Sequence, residues 1–190
     1  MSESGSVLGP RPHQGDAWSV ASLQALIRDV PDFPSPGILF KDITPLLANG
    51  SAWQATVSLL AELHAGLSVD RVVGIEARGF VLGAAVAYHL GVGFVPVRKP
   101  GKLPHRAASV SYDLEYGQDS LEMHLDAVER GQRILVVDDV LATGGTAAAA
   151  LQLVHDVGAE VVGVTFLIEL AFLGGRARLG GVDARSLITY

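Results

Sequence analysis

Apolar positions along this chain follow three rhythms. Short runs with almost no polar interruption, Val72-Val73-Gly74-Ile75, Phe94-Val95-Pro96-Val97, Ile134-Leu135-Val136-Val137 and residues 161–168, have the pattern of strands covered on both faces. Between them lie stretches at helical spacing. Val20, Leu23, Ile27 and Val30 form one stripe behind a candidate N-cap at Asp16, stopped by Pro31, Pro34 and Pro36; Trp53, Val57, Leu60 and Leu63 form a second within residues 52–67. Residues 80–90 carry Gly83, Ala84, Ala85 and Ala87, small enough for close packing on a sheet, and Ala147-Ala148-Ala149-Ala150 open a helix continuing through Leu151, Val154 and Val157. The third rhythm is strict alternation in residues 108–113 and 120–125 around Gly117, which predicts a β-hairpin or flap. A short element at 174–179 and a strand near 186–188 end the chain. Buried strands alternating with helices predict an α/β fold with a mainly parallel twisted sheet and helices on both faces, whose ligands bind beyond the strand C-termini.

Composition adds bounds. The 190 residues are 49% hydrophobic and 18% charged, as expected of a packed globular chain, and we read residues 1–15 as a mobile tail before one domain at 16–190. A formal charge of −6 argues against general nucleic-acid binding, which wants a basic surface. Cysteine is absent, which removes thiol chemistry and fits a cytoplasmic location. The most apolar region, residues 80–97, is broken by His89 and Pro96, so no membrane span is expected. His64, His89 and His155 lack metal-ligand spacing.

The chemistry gathers where the rhythms change. After Ile134-Leu135-Val136-Val137 come two carboxylates, Asp138 and Asp139, then Ala142-Thr143-Gly144-Gly145-Thr146 and the alanine-rich helix. A glycine-rich turn at a helix start aims unpaired N–H groups at one point, where a phosphate fits. Two acidic side chains beside it make sense if the ligand also offers hydroxyls, so a sugar phosphate satisfies both halves. The spacing matches neither a Walker loop nor a dinucleotide turn. Arg98, Lys99 and Lys102 follow the strand at 94–97 and suggest an anion site, Glu115 lies at the hairpin tip, and the proline-rich residues 33–45 are expected to form an irregular extended cover.

Val136-Val137-Asp138-Asp139-Val140-Leu141-Ala142-Thr143-Gly144-Gly145-Thr146 resembles the phosphoribosyl pyrophosphate (PRPP) motif of the type I phosphoribosyltransferases. Phe33-Pro34-x-Pro36-Gly37-Ile38-x-Phe40-Lys41-Asp42-Ile43-Thr44-Pro45, Gly74-Ile75-Glu76-Ala77-Arg78-Gly79-Phe80, Arg98-Lys99-x-Gly101-Lys102-Leu103-Pro104 and Leu114-Glu115-Tyr116-Gly117, where x is a position outside the match, are similar to the adenine-specific members. That resemblance implies a type I phosphoribosyltransferase fold with an N-terminal hood, and transfer of phosphoribosyl from PRPP to adenine, giving AMP and pyrophosphate in purine salvage. It also implies Mg2+ held mainly through PRPP and water, and a homodimer. Carried over by position, Asp138, Asp139, Ala142, Thr143, Gly144, Gly145 and Thr146 bind PRPP. Glu76, Ala77, Arg78, Arg98, Lys99 and Lys102 bind pyrophosphate, with a cis peptide common between the first two. Leu39, Lys41 and Arg78 bind adenine, Lys41 standing where some members have Arg, and Glu115 is the catalytic acid or base. Another base specificity (xanthine, hypoxanthine, guanine or orotate) and a non-catalytic PRPP-sensing regulator are the alternatives.

Overall fold

The computed structural model describes residues 18–114 and 117–190, in two compact units, Met1–Thr56 and Val57–Tyr190. In the first unit Ser19 caps helix α1 (Val20–Gln24): its hydroxyl accepts from Ser22 N at 3.2 Å, and Ser22 Oγ accepts from Ser19 N at 2.9 Å. The helix is much shorter than its apolar stripe suggests. Val30 belongs instead to strand β1 (Arg28–Pro31), which pairs antiparallel with β2 (Leu39–Asp42). Asp16 and the tail at 1–15 lie outside the described residues. The proline-rich stretch is therefore not a continuous irregular cover. It holds the ribbon's turn, with a cis Phe33–Pro34 bond and Gly37 at φ +88 donating its N–H to Asp32 Oδ1 at 2.8 Å. Helix α2 (Thr44–Ala48) follows, and the unit ends within α3 (Gly50–Glu62).

The second unit holds β3 (Arg71–Ile75), α4 (Arg78–Leu90), β4 (Gly93–Val97), the hairpin β5 (Ala107–Leu114) and β6 (Gly117–His124), β7 (Arg133–Leu141), α5 (Gly145–Asp156), β8 (Glu160–Glu169), a 3-10 turn at Gly175–Leu179 and β9 (Ala184–Thr189). Five strands form a parallel sheet in the order β4-β3-β7-β8-β9. The connection through α4 runs to one side and that through α5 to the other. Right-handed crossovers then put these helices on opposite faces and leave a switch point between β3 and β7.

Alternation sorts the strand residues between the faces. Val73, Ile75, Ile134, Val136, Val164 and Phe166 share a buried cluster with Ala147, Ala150, Leu153 and Val154 of α5 and with Leu121 and Met123 of β6. Their neighbours Val72, Leu135, Val137 and Leu167 are equally buried outside that cluster, so the sheet is covered on both sides. One boundary departs from the sequence reading in a way that matters below. β7 does not stop at Val137 but runs through Asp138 and Asp139 to Leu141, because β8 continues beside it, Asp138 opposite Phe166 and Leu141 opposite Glu169.

Candidate active site

Parallel strands bring the ends of β3, β4 and β7 to one edge, where the chain carries most of the sequence-selected residues. From β7, Asp138 and Asp139 are 9% and 6% exposed. The Asp139 N–H donates to Asp138 Oδ1 at 2.9 Å. Burial raises the Asp138 carboxyl well above the usual range, and the neighbouring Asp139 charge adds to it. For Asp139 burial also prevails, against the pull of Arg78, whose Nε lies 2.7 Å from Asp139 Oδ2. Close approach of α4 completes this corner. A methyl group on Gly79 would stand 2.6 Å from Asp138 Oδ1 and 3.0 Å from the Val137 carbonyl oxygen, so glycine alone lets the helix start there.

Past Leu141 the turn of Ala142 and Thr143 leads to Gly144, the N-cap of α5, at φ +82, with no side-chain cap. The first intrahelical bond is Ala148 N to Gly144 O at 2.9 Å. The N–H groups before it in the first turn are the orphan donors that an anion can satisfy.

Glu76 follows β3, and the Glu76–Ala77 peptide is cis, as the resemblance implies. Its carboxylate gathers the cations that follow β4: Oε1 accepts from Lys102 Nζ at 2.6 Å and from Arg98 Nη2 at 3.2 Å, and Oε2 accepts from the Lys99 N–H at 3.0 Å. Burial opposes ionisation, but these three donors outweigh it and hold the carboxyl at about 2. Arg98 also lies 5.9 Å over the Phe80 ring, and its buried Nε finds no hydrogen-bond partner among the described residues.

Lys99 turns the other way, into the hairpin. Its ammonium pairs with Asp119 and donates to Tyr112 Oη at 3.1 Å. Burial would lower the Lys99 pKa, yet these partners push it above the usual value, and Lys99 in turn holds Asp119 below the usual carboxylate range. Thr146 Oγ1 donates to Tyr112 Oη at 3.4 Å, so a hydroxyl of the glycine turn, the hairpin and a cation meet at one phenol. The sequence reading missed Tyr112 and Asp119. Alternation in β5 places Tyr112 on the same face as the half-buried Ala108 and Val110, which was the available signal.

On the first unit, Leu39 is 49% exposed, and Lys41 Nζ donates to Asp29 Oδ1 at 2.6 Å across the β1–β2 ribbon. Glu115 lies outside the described residues. Among the described residues no three His, Asp or Glu side chains converge as metal ligands, and no helix is long and apolar enough to cross a membrane.

A family model described as phosphoribosyl transferase domain matches residues 43–178. The chain is 60% identical over 164 residues, 86% of its length and 93% of the relative's, to an adenine phosphoribosyltransferase of Acidothermus cellulolyticus. The crystal structure of adenine phosphoribosyltransferase from Thermoanaerobacter pseudethanolicus is similar with a TM-score of 0.89 and 52% identity, covering 90% of this chain and all of that one. That of the Saccharomyces cerevisiae enzyme, complexed with an imino-altritol bisphosphate and adenine, is similar with a TM-score of 0.84 and 40% identity, covering 88% and 97%.

Proposed function

Because the chain belongs to the phosphoribosyl transferase family, we propose that it transfers the 5-phosphoribosyl group of PRPP to adenine, giving AMP and pyrophosphate in purine salvage. The observation that carries this reading is the meeting, at one sheet edge, of an uncapped helix start, two buried carboxylates and a cluster of three cations.

In the transfer, the C1′–O bond to pyrophosphate breaks as the C1′–N9 bond to adenine forms, and the N9 proton leaves. The N–H groups of Gly144, Gly145 and Thr146, with the Ala142 peptide and the Thr143 and Thr146 hydroxyls, hold the 5′-phosphate. Asp138 and Asp139 accept hydrogen bonds from the ribose 2′- and 3′-hydroxyls. Arg98, Lys99, Lys102 and Arg78, with the Glu76–Ala77 peptide, take the leaving pyrophosphate. The motif positions of Leu39, Lys41 and Arg78 are the reason for proposing each of them as a base-binding residue. Glu115 exchanges the purine proton as general acid or base, worth roughly 10²–10⁴-fold. The hairpin closes over bound PRPP and keeps water from it.

Mg2+, when bound with PRPP, neutralises charge on the diphosphate. In this reading the ion would be held mainly through PRPP and water. We further propose a cytoplasmic homodimer. Helix α4 turns Val81, 47% exposed, and Tyr88, 90% exposed, outward two turns apart, an apolar stripe that a second copy would cover.

The test offers PRPP and Mg2+ with adenine, guanine, hypoxanthine, xanthine and orotate in separate reactions and follows nucleotide formation. AMP from adenine alone is the expected result. Turnover with a different base would discard the adenine assignment, and PRPP binding without turnover of any base would replace the enzyme by a PRPP-sensing regulator.

A further inference from the structure

We propose that Gly175, backed by an ion pair between Glu169 and Arg176, is a positioning element for the PRPP turn at residues 142–146, and that the grip on the 5′-phosphate depends on it. The inference rests on the phosphoribosyl transfer reading above.

The turn has little support of its own: Gly144 stands at φ +82, no side chain caps α5, and Ala142 and Thr143 are only half buried. Its close neighbour is backbone from a distant part of the chain. A methyl group on Gly175 would overlap the Ala142 carbonyl oxygen, and would stand 2.8 Å from Gly144 N and 2.9 Å from the Thr143 carbonyl carbon. Reciprocally, a methyl group on Gly144 would overlap the Gly175 carbonyl oxygen and lie 3.0 Å from its carbonyl carbon. Two glycines thus face each other with no room for any side chain. Backbone cannot swing aside as the end of a long side chain can, so the position of Gly175 sets the position of the turn.

The next residue fixes Gly175. Arg176 Nε donates to Glu169 Oε1 at 3.0 Å and Nη2 donates to Oε2, a bidentate pair, while Nη1 donates to the Ala184 carbonyl oxygen. Ser186 Oγ donates to Glu169 Oε2 at 2.7 Å. Glu169, 7% exposed, is the last residue of β8, and Ala184 and Ser186 belong to β9. Leu179, 2% exposed, anchors the far end of the 3-10 turn in the core. The PRPP turn is in this way referenced to β8 and β9, not to β7 alone. Because the bracket meets the turn through the Gly175 backbone, Gly175, Arg176 and Glu169 act by position.

Steady-state kinetics on the full chain, with PRPP and adenine varied separately, tests this. Gly175→Ala should raise the KM for PRPP at least fivefold, leave the KM for adenine within twofold, and lower kcat by less than the KM rises. That split follows because the phosphate contact is made in the ground state as well as the transition state. Stabilisation of the variant by AMP, read as a shift in Tm, should fall in parallel. Arg176→Lys keeps the charge of a half-exposed side chain but loses the bidentate fork, and should raise the KM for PRPP at least threefold. Gly93→Ala, where a methyl group would lie 3.7 Å from the nearest atom, should behave as wild type. Smaller rises in the KM for PRPP, or equal rises for both substrates, overturn the bracket. If Gly175→Ala does not fold, Arg176→Lys decides alone. A wild-type chain with no turnover defeats the reading of function; an active wild type with indifferent variants defeats only the bracket.

Discussion

Replacing Glu76 by Gln keeps the shape of the side chain and removes its charge from between Arg98, Lys102 and the Lys99 N–H. The carboxyl is held at about 2 against an ordinary 4.5. At about 1.4 kcal/mol per pKa unit, the cluster is bounded at about 3 kcal/mol of folding stability. Glu76 is 11% exposed, but its partners Lys102 and Arg98 are 47% and 32% exposed, and water screens them; about 1–2 kcal/mol is the expected loss at pH 7. Urea unfolding followed by circular dichroism measures it. The pH course is equally specific. A carboxyl whose folded pKa is depressed stabilises the fold above its unfolded pKa, and that contribution disappears as pH falls through the folded value. The gap between wild type and Glu76→Gln should therefore be constant from pH 8 to about 5.5, then narrow as pH falls below about 4.5 toward 2. Equal stability at pH 7, or a gap unchanged down to pH 3, would refute the reasoning.

Three other substitutions probe different parts of the site. Glu115→Gln should lower turnover at least tenfold with an unchanged circular dichroism spectrum; wild-type turnover would remove Glu115 from the mechanism. Gly79→Ala would push a methyl group against Asp138 Oδ1, and should cost about 1–3 kcal/mol in thermal unfolding and raise the KM for PRPP. Tyr112→Phe takes the shared hydroxyl from Lys99 and Thr146, and should cost about 1 kcal/mol and weaken PRPP severalfold while leaving adenine binding alone, as isothermal titration would read.

The sheet was legible because its strands are apolar on both faces, as Val72, Val73, Leu135 and Val136 show, and such runs admit few other fates. The site edge was legible for a related reason: in a parallel sheet the residues after β3, β4 and β7 must fall together. What escaped depends on pairing between distant segments. Ile27 and Val30 sit at helical spacing, yet Val30 faces Phe40 across a ribbon whose second strand lies beyond three prolines. Asp138 and Asp139 have poor strand propensity, and only the length of β8 keeps them in the sheet. The Glu169–Arg176 pair has no periodic signature at all, since a buried carboxylate at a strand end reads like any other polar terminus.

Glu76 and Asp119 mean that the cations at this edge do not wait for an anion in the company of mobile ions from solution. An arriving diphosphate has to change their partners, from internal carboxylates to its own oxygens, and few counterions are set free in that exchange. Treating Arg98, Lys99 and Lys102 as three free cations would overstate the salt dependence of PRPP affinity. The affinity for PRPP is therefore expected to fall less steeply with ionic strength than three unpaired cations would make it, which titrations at several salt concentrations would show.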